Sequence, residues 1–183
     1  MLLKSPLLGK HITLRSVLEE DADFIVELRT NPELSQFIHE TDPSVDRQRQ
    51  WTRAQQQRAD DYYLLIEDHE QRRLGTISVY NIDWESRRFE WGRWLILPGT
   101  PFHVAAESAL LAYDFAFNRL ELEETLFLIK TRNTAVCTYV EKALRSEVVT
   151  RDDEDTWFRF RKKGFPGLLA RFKGFHNLEG AAE

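Results

Sequence analysis

The sequence has one cysteine (Cys137), one methionine, eight glycines and six prolines among its 183 residues. A single cysteine excludes an intramolecular disulfide and any multi-cysteine zinc site, and it fits a reducing, cytoplasmic setting. No run approaches the roughly 18 uninterrupted apolar residues of a membrane span, so stable membrane insertion is not expected. Met1-Leu2-Leu3-Lys4-Ser5-Pro6 is too short and too broken to read as a signal peptide. Positive charge is not in excess: 25 Lys and Arg stand against 30 Asp and Glu, a net charge of −5. A whole-surface field for nucleic acid is therefore absent. The five histidines, His11, His39, His69, His103 and His176, lack ligand spacing, so no metal is expected. There is no nucleophile elbow and no Walker loop. What remains is 42% hydrophobic and 30% charged, the balance of an ordinary globular chain long enough to bury about 70% of its unfolded surface.

The periodicity reads as alternating strands and helices, an α/β domain. A strand is predicted over 11–15. Ser16-Val17-Leu18-Glu19 has a capping-box pattern opening a helix with Phe24, Ile25 and Leu28 on one face. Asn31-Pro32 ends that helix. A polar helix follows over 44–58, then a meander of strands over 62–67, 74–82 and 88–96, with Gly75 at a bulge or close approach. Residues 103–120 form a helix apolar on nearly every side, expected to be buried. A strand over 124–130, a helix capped by Asn133 and a hairpin of 147–150 with 156–161 complete the domain, taken as residues 1–163. Residues 164–183 read as a basic, apolar C-terminal extension.

Three local patterns accompany that order. Leu28-Arg29-Thr30-Asn31-Pro32-Glu33 is similar to a W-R-N-x-P-E stretch. Phe89-Glu90-Trp91-Gly92-Arg93-Trp94-Leu95-Ile96 is similar to x-E-I-G-Y-W-I. His103-Val104-Ala105-Ala106-Glu107-Ser108-Ala109, followed by Tyr113-Asp114-Phe115-Ala116-Phe117, is similar to G-x-A-T-E-A … Y-A-F. Asn133 with Glu141-Lys142 adds a weaker fourth. Together they resemble the GNAT N-acetyltransferases, most of all the branch of ribosomal-protein and bacterial amino-sugar enzymes. The resemblance covers about residues 8–162. It implies a mixed central sheet of six to seven strands, splayed between the fourth and fifth, flanked by about four helices. It further implies acetyl-CoA as cosubstrate and a small-molecule amine as acceptor, first among them a nucleotide-linked amino-sugar, with a protein N-terminus as the alternative. Homodimers are common among such relatives.

By that resemblance the pantetheine arm lies on Trp94, Leu95 and Ile96, and the pyrophosphate on Thr100, His103, Val104, Ala105 and Ala106. There, free helical N–H groups and the dipole favour anions. The family loop reads (Q/R)-x-x-G-x-(G/A), but here Thr100 and His103 replace its Gln/Arg and its first Gly. His103 either donates to the phosphates or blocks them, and a non-catalytic binding module of the same fold is the competing reading. Asn133 matches the asparagine beside the CoA arm and serves equally as a helix N-cap.

Acetyl transfer needs a neutral amine, hence a base. Glu90 is the candidate; the alternative is an exposed strand carboxylate paired with Arg88 or Arg93. Tyr139 is the candidate acid for the leaving thiolate, one residue away from the aligned position, with core packing as its alternative. For the acceptor, Arg29 and Asn31 lie beyond the first helix. Arg29 pairs either a substrate anion or a loop partner. Trp84 and Trp91 offer flat faces to a sugar or base, or else belong to the core. Residues 159–173 carry six basic and no acidic side chains among Phe and Leu. They form either an anion-touching amphipathic element or a helix packed back on the domain.

Overall fold

The computed structural model describes residues 1–178. Its centre is an eight-stranded sheet in the order β1-β2-β3-β4-β5-β6-β8-β7. The strands are β1 (Leu7–Leu8), β2 (Ile12–Ser16), β3 (Tyr62–Asp68), β4 (Arg73–Asp83), β5 (Arg88–Ile96), β6 (Glu124–Lys130), β7 (Glu147–Arg151) and β8 (Asp155–Arg161). The sheet has one strand more than the upper expectation. The addition is β1, whose two residues are too few to show a period. The helices are α1 (Ala22–Thr30), α2 (Pro32–Ser35), α3 (Val45–Gln56), α4 (Phe102–Asp114), α5 (Thr134–Thr138) and α6 (Phe165–Arg171). They number six rather than about four, because α2 is a single turn and α6 comes from the tail.

Every neighbouring pair in the sheet is antiparallel except β5 and β6. Those two run parallel and touch in register only at Arg88–Glu124 and Phe89–Thr125. Beyond that vertex they diverge, dividing the sheet into two wings. Parallel neighbours require a crossover, and α4 supplies it. The wing of β2–β5 is buried on both faces, so Tyr62 to Ile66 is a continuous apolar run rather than an alternating one. Tyr63 and Leu65 pack with Phe24, Ile25 and Leu28 of α1 on one face. Leu64, Ile66, Ile77, Val79, Phe89 and Trp91 join α4 on the other.

Two local expectations change. Ser16 does not cap a helix: it ends β2, and its Oγ accepts from Leu3 N at 2.7 Å. Asp21 takes the role instead, accepting from Leu18 N at 2.8 Å while clamping Arg15 in a bidentate pair. The tail beyond Gly164 sends Phe165, Leu168, Leu169 and Phe172 into the same core as α4. That burial is the packed-back alternative for this segment; residues 179–183 of the extension lie outside the described residues. Among the described residues no helix is long and apolar enough to cross a membrane.

The helix over 103–120 is α4 continued by a π turn, Phe115–Arg119. Its one buried carboxylate, Glu107, accepts from the backbone N–H groups of Lys10 and His11 and faces His11 Nδ1 at 2.9 Å. Gly75 marks the close approach its residue type suggested: a Cβ there would stand 2.2 Å from Leu95 O and 3.0 Å from Ile96 Cα. Both are backbone atoms of the strand that opens the cleft. Gly75→Ala is therefore expected to cost about 2 kcal/mol, the scale of overpacking a tight site. Chemical denaturation checks this, and an unchanged midpoint would contradict it.

Candidate active site

The site grows from an irregularity in β5. Between Thr76 and Ser78 the partners on β5 jump from Leu95 to Gly92, so β5 carries one extra residue. Such a bulge bends a strand and re-aims its side chains. Arg93 takes it up at φ +46°, a left-handed conformation costly for a side chain with a Cβ. Its carbonyl accepts from Thr76 Oγ1 at 2.8 Å. Its guanidinium forks onto Asp61 at 2.8 and 3.0 Å and lies over the rings of Tyr80, Trp51 and Tyr63 at 4.5, 5.2 and 5.5 Å. Asp61 is 1% exposed. An ion pair between a buried carboxylate and a half-buried guanidinium, set among aromatic rings, thus holds the strained residue at the mouth of the splay.

Glu90, on the same strand, is half-buried and lines the cleft. Neither predicted arginine pairs with it: Arg93 is committed to Asp61, and Arg88 lies 3.4 Å from Glu124. Its Oε1 accepts from Asn81 Nδ2 at 3.1 Å. Across the ladder it faces Tyr80. Burial first, and the Glu90 charge second, push the Tyr80 phenol up to about 12.

Where β5 leaves β6, its backbone groups pointing away from β4 have no strand partner. Trp94, Leu95 and Ile96 line that opening, with Ala105 and Asn133 opposite. Trp94 is fixed by an indole N–H bond to Ser108 Oγ at 3.1 Å. Beyond Leu97, Thr100 N donates to Leu97 O at 3.2 Å in a turn carrying Gly99 at φ +79°. No side chain caps the first turn of α4. Val104 and Ala106 place their side chains in the core, and the Val104 N–H already donates to Pro101 O at 3.0 Å, which leaves the N–H groups of Phe102 and His103 as the α4 start's donors. The His103 ring meets that of His11 at a 45° tilt, centroids 4.5 Å apart, and His11 Nδ1 in turn faces Glu107. Unpaired strand amides leading to an uncapped helix start suit an amide-rich arm that ends in phosphates.

The cleft measures about 1360 Å³, more than one ordinary small-molecule site needs. Arg29 lines it, with Nε bonded to Thr41 Oγ1 at 2.9 Å. Asn133 Oδ1 accepts from Val136 N at 3.4 Å, so it is both a cap and a cleft residue. Asn31 does not line the cleft; its Oδ1 caps α2 through Glu33 N at 2.9 Å. Trp84 lies outside as well, at the β4–β5 turn, with its indole N–H on Ala59 O at 3.0 Å. Trp91 is 4% exposed, its ring set edge-on to Trp94, Tyr113 and Phe127. Trp91 still lines the cleft beside Glu90, so it belongs to the core and borders the site at once. The Tyr139 hydroxyl is buried with no hydrogen-bond partner among the described residues, and burial pushes it up to about 12. The ring packs on Trp94 and Phe102, its core-packing alternative. Sequence reading missed Asn81, Tyr80, Arg93 with Asp61, Arg132 and Trp157. Only the Tyr80–Glu90 pairing was within reach, through the meander's register.

A family model described as an acetyltransferase (GNAT) domain matches residues 11–143. No curated protein sequence matches the chain. Among solved structures, apo FdhC, described as a nucleotide-linked sugar GNAT, is 28% identical with a TM-score of 0.85, covering 94% of this chain and 99% of its own. The spermidine N-acetyltransferase of Vibrio cholerae, solved with CoA and spermine, is 19% identical with a TM-score of 0.72, covering 84% and 97%; that likeness is one of fold. The splayed parallel pair, the bulged strand and the family match over most of its length agree: the chain belongs to the GNAT acetyltransferase family and is an N-acetyltransferase.

Proposed function

We propose that the chain transfers an acetyl group from acetyl-CoA to the amine of a nucleotide-linked amino-sugar. The observation that carries this reading is Glu90, a carboxylate with no cationic partner among the described residues, lining a cleft large enough for two ligands. The likeness to FdhC over nearly the whole of both chains supports the acceptor class.

Acetyl-CoA, when bound, supplies a thioester carbonyl open to attack. The unpaired amides of β5 orient that arm, and the α4 start with Thr100 and His103 receives its phosphates. Glu90 takes a proton from the acceptor's ammonium, directly or through one water, so that the nitrogen lone pair forms the new N–C bond as the C–S bond breaks. The second proton of the amine leaves the nitrogen once the N–C bond has formed and passes through water to the departing sulfur, since the Tyr139 hydroxyl is buried and does not line the cleft. Holding both reactants in one cleft supplies much of the remaining rate.

Calorimetric titration of acetyl-CoA, followed by an amine screen led by UDP- and dTDP-linked amino-sugars, tests this. Micromolar binding and turnover of a linked sugar are expected. Absence of binding at millimolar acetyl-CoA would mean that His103 blocks the phosphate loop, and would overturn the proposal.

A further inference from the structure

We propose that Arg29 and Arg132 form a two-sided anion clamp that selects acceptors carrying a diphosphate. The clamp deepens the acceptor reading above and rests on it only for the amine, not for the anion. Five arginines and lysines line the cleft: Arg29, Arg47, Arg93, Lys130 and Arg132. Three of them are neutralised. Arg47 pairs with Asp42, Arg93 with Asp61 at 2.8 Å and Lys130 with Asp155 at 2.7 Å. Arg29 and Arg132 have no carboxylate partner among the described residues.

Each instead uses one donor on the same segment, 36–42. Arg29 Nε bonds Thr41 Oγ1 at 2.9 Å, and Arg132 Nη2 bonds Gln36 O at 3.0 Å while its guanidinium lies 5.8 Å from the Phe37 ring centroid. Arg29 comes from the end of α1 and Arg132 from the turn after β6, so the cations stand on the two wings of the sheet. Most of each guanidinium fork stays free, and forks match phosphate oxygens in bidentate fashion. Arg29 is half-buried, and burial works against its charge. A cation in that setting gains most from an arriving anion. Glu33 and Glu40 line the same cleft but are exposed to solvent, whereas Arg29 is half-buried, so the spermidine arm of the test below sets an anionic acceptor against a cationic one.

A second observation points the same way. Trp157, 40% exposed, and Leu128, 41% exposed, pair across β8 and β6 and both line the cleft. They form a flat apolar platform on the Arg132 wing, suited to a nucleobase. Anion clamp and platform together fit a nucleoside diphosphate.

The test measures kcat/KM of the full chain for a UDP- or dTDP-linked amino-sugar against the same amino-sugar as its methyl glycoside. Binding of UDP and dTDP without acceptor is measured alongside. The wild type is expected to prefer the linked amine by about 100-fold. Arg29→Gln and Arg132→Gln should each cut that preference roughly 10- to 100-fold, the scale of a lost charge-assisted hydrogen bond, with UDP affinity falling in step. Thr41→Val loosens the segment without touching charge and should slow both acceptors alike. Equal losses on both acceptors in the arginine variants would overturn the clamp, reducing it to a loop anchor. So would amine turnover without UDP or dTDP binding, or a preference for spermidine. If nothing is acetylated yet UDP binds and both arginine variants abolish binding, the clamp stands and the acceptor reading falls.

Discussion

Glu90→Gln should lower kcat by about 10²- to 10⁴-fold while leaving acetyl-CoA binding and the melting temperature close to wild type, because removing a general base costs that much in rate. The residue is half-buried and accepts a single side-chain bond from Asn81, and an amide replaces it with little change of shape. The rate deficit has a pH signature. The acceptor amine deprotonates unaided as pH approaches its own pKa, so the variant should recover toward wild type with rising pH. Steady-state profiles from neutral to alkaline pH read this directly. A variant within threefold of wild type at neutral pH would remove Glu90 from the chemistry and return it to the role of a strand carboxylate.

The second large effect is on stability. Asp61→Ala leaves the Arg93 guanidinium, itself at a strained φ, facing aromatic rings with no anion. Breaking a fully buried pair from one side costs about 3–5 kcal/mol, and the partial exposure of Arg93 sets the expectation at the lower end, about 3 kcal/mol. For a chain of this length that corresponds to a fall in Tm of about 10 °C. Activity should fall further than stability explains, since Arg93 holds the β5 bulge beside the slot proposed for acetyl-CoA. The double variant Asp61→Leu with Arg93→Met separates the two effects: it should regain much of the melting temperature, because no uncompensated charge remains, yet not the activity. Thermal unfolding beside single-turnover rates gives both quantities. A melting temperature unmoved by Asp61→Ala would show that the pair is solvated and that the bulge holds itself.

The order of elements was legible because each long segment keeps one period: β3 to β6 and α3 fall within about a residue of expectation. The position of Glu90 on β5 was legible from the strand motif, and the close approach at Gly75 from a glycine inside a strand. Other features were not. Whether Trp91 faces the cleft or the core depends on a one-residue alternation that a bulge two residues later could reset. Asp61 and Arg93 are 32 residues apart and meet only through strand register. Arg132 sits in a turn, and its free charge is defined by what fails to approach it. Ser16 had the composition of a cap, yet the β2 ladder claimed its backbone, a case of pairing overriding a local signal.

The vertex between β5 and β6 has a mechanical consequence. Two register pairs and the Glu123 N–H on Arg87 O join the strands at the vertex, and beyond it Trp91 on Phe127 bridges them through side chains alone, so the backbone there is a short pivot rather than a plate. From Thr125 to Lys130, β6 reaches roughly 17 Å from that pivot. A rotation of about 5° at the vertex would move its far end by about 1.5 Å, the length of one carbon–carbon bond. Residues packed around Phe89 and Thr125, none of which needs to touch a ligand, therefore set how wide the slot stands along its whole length. Changes in the size of the acyl group accepted can arise from that pivot, far from the atoms that react.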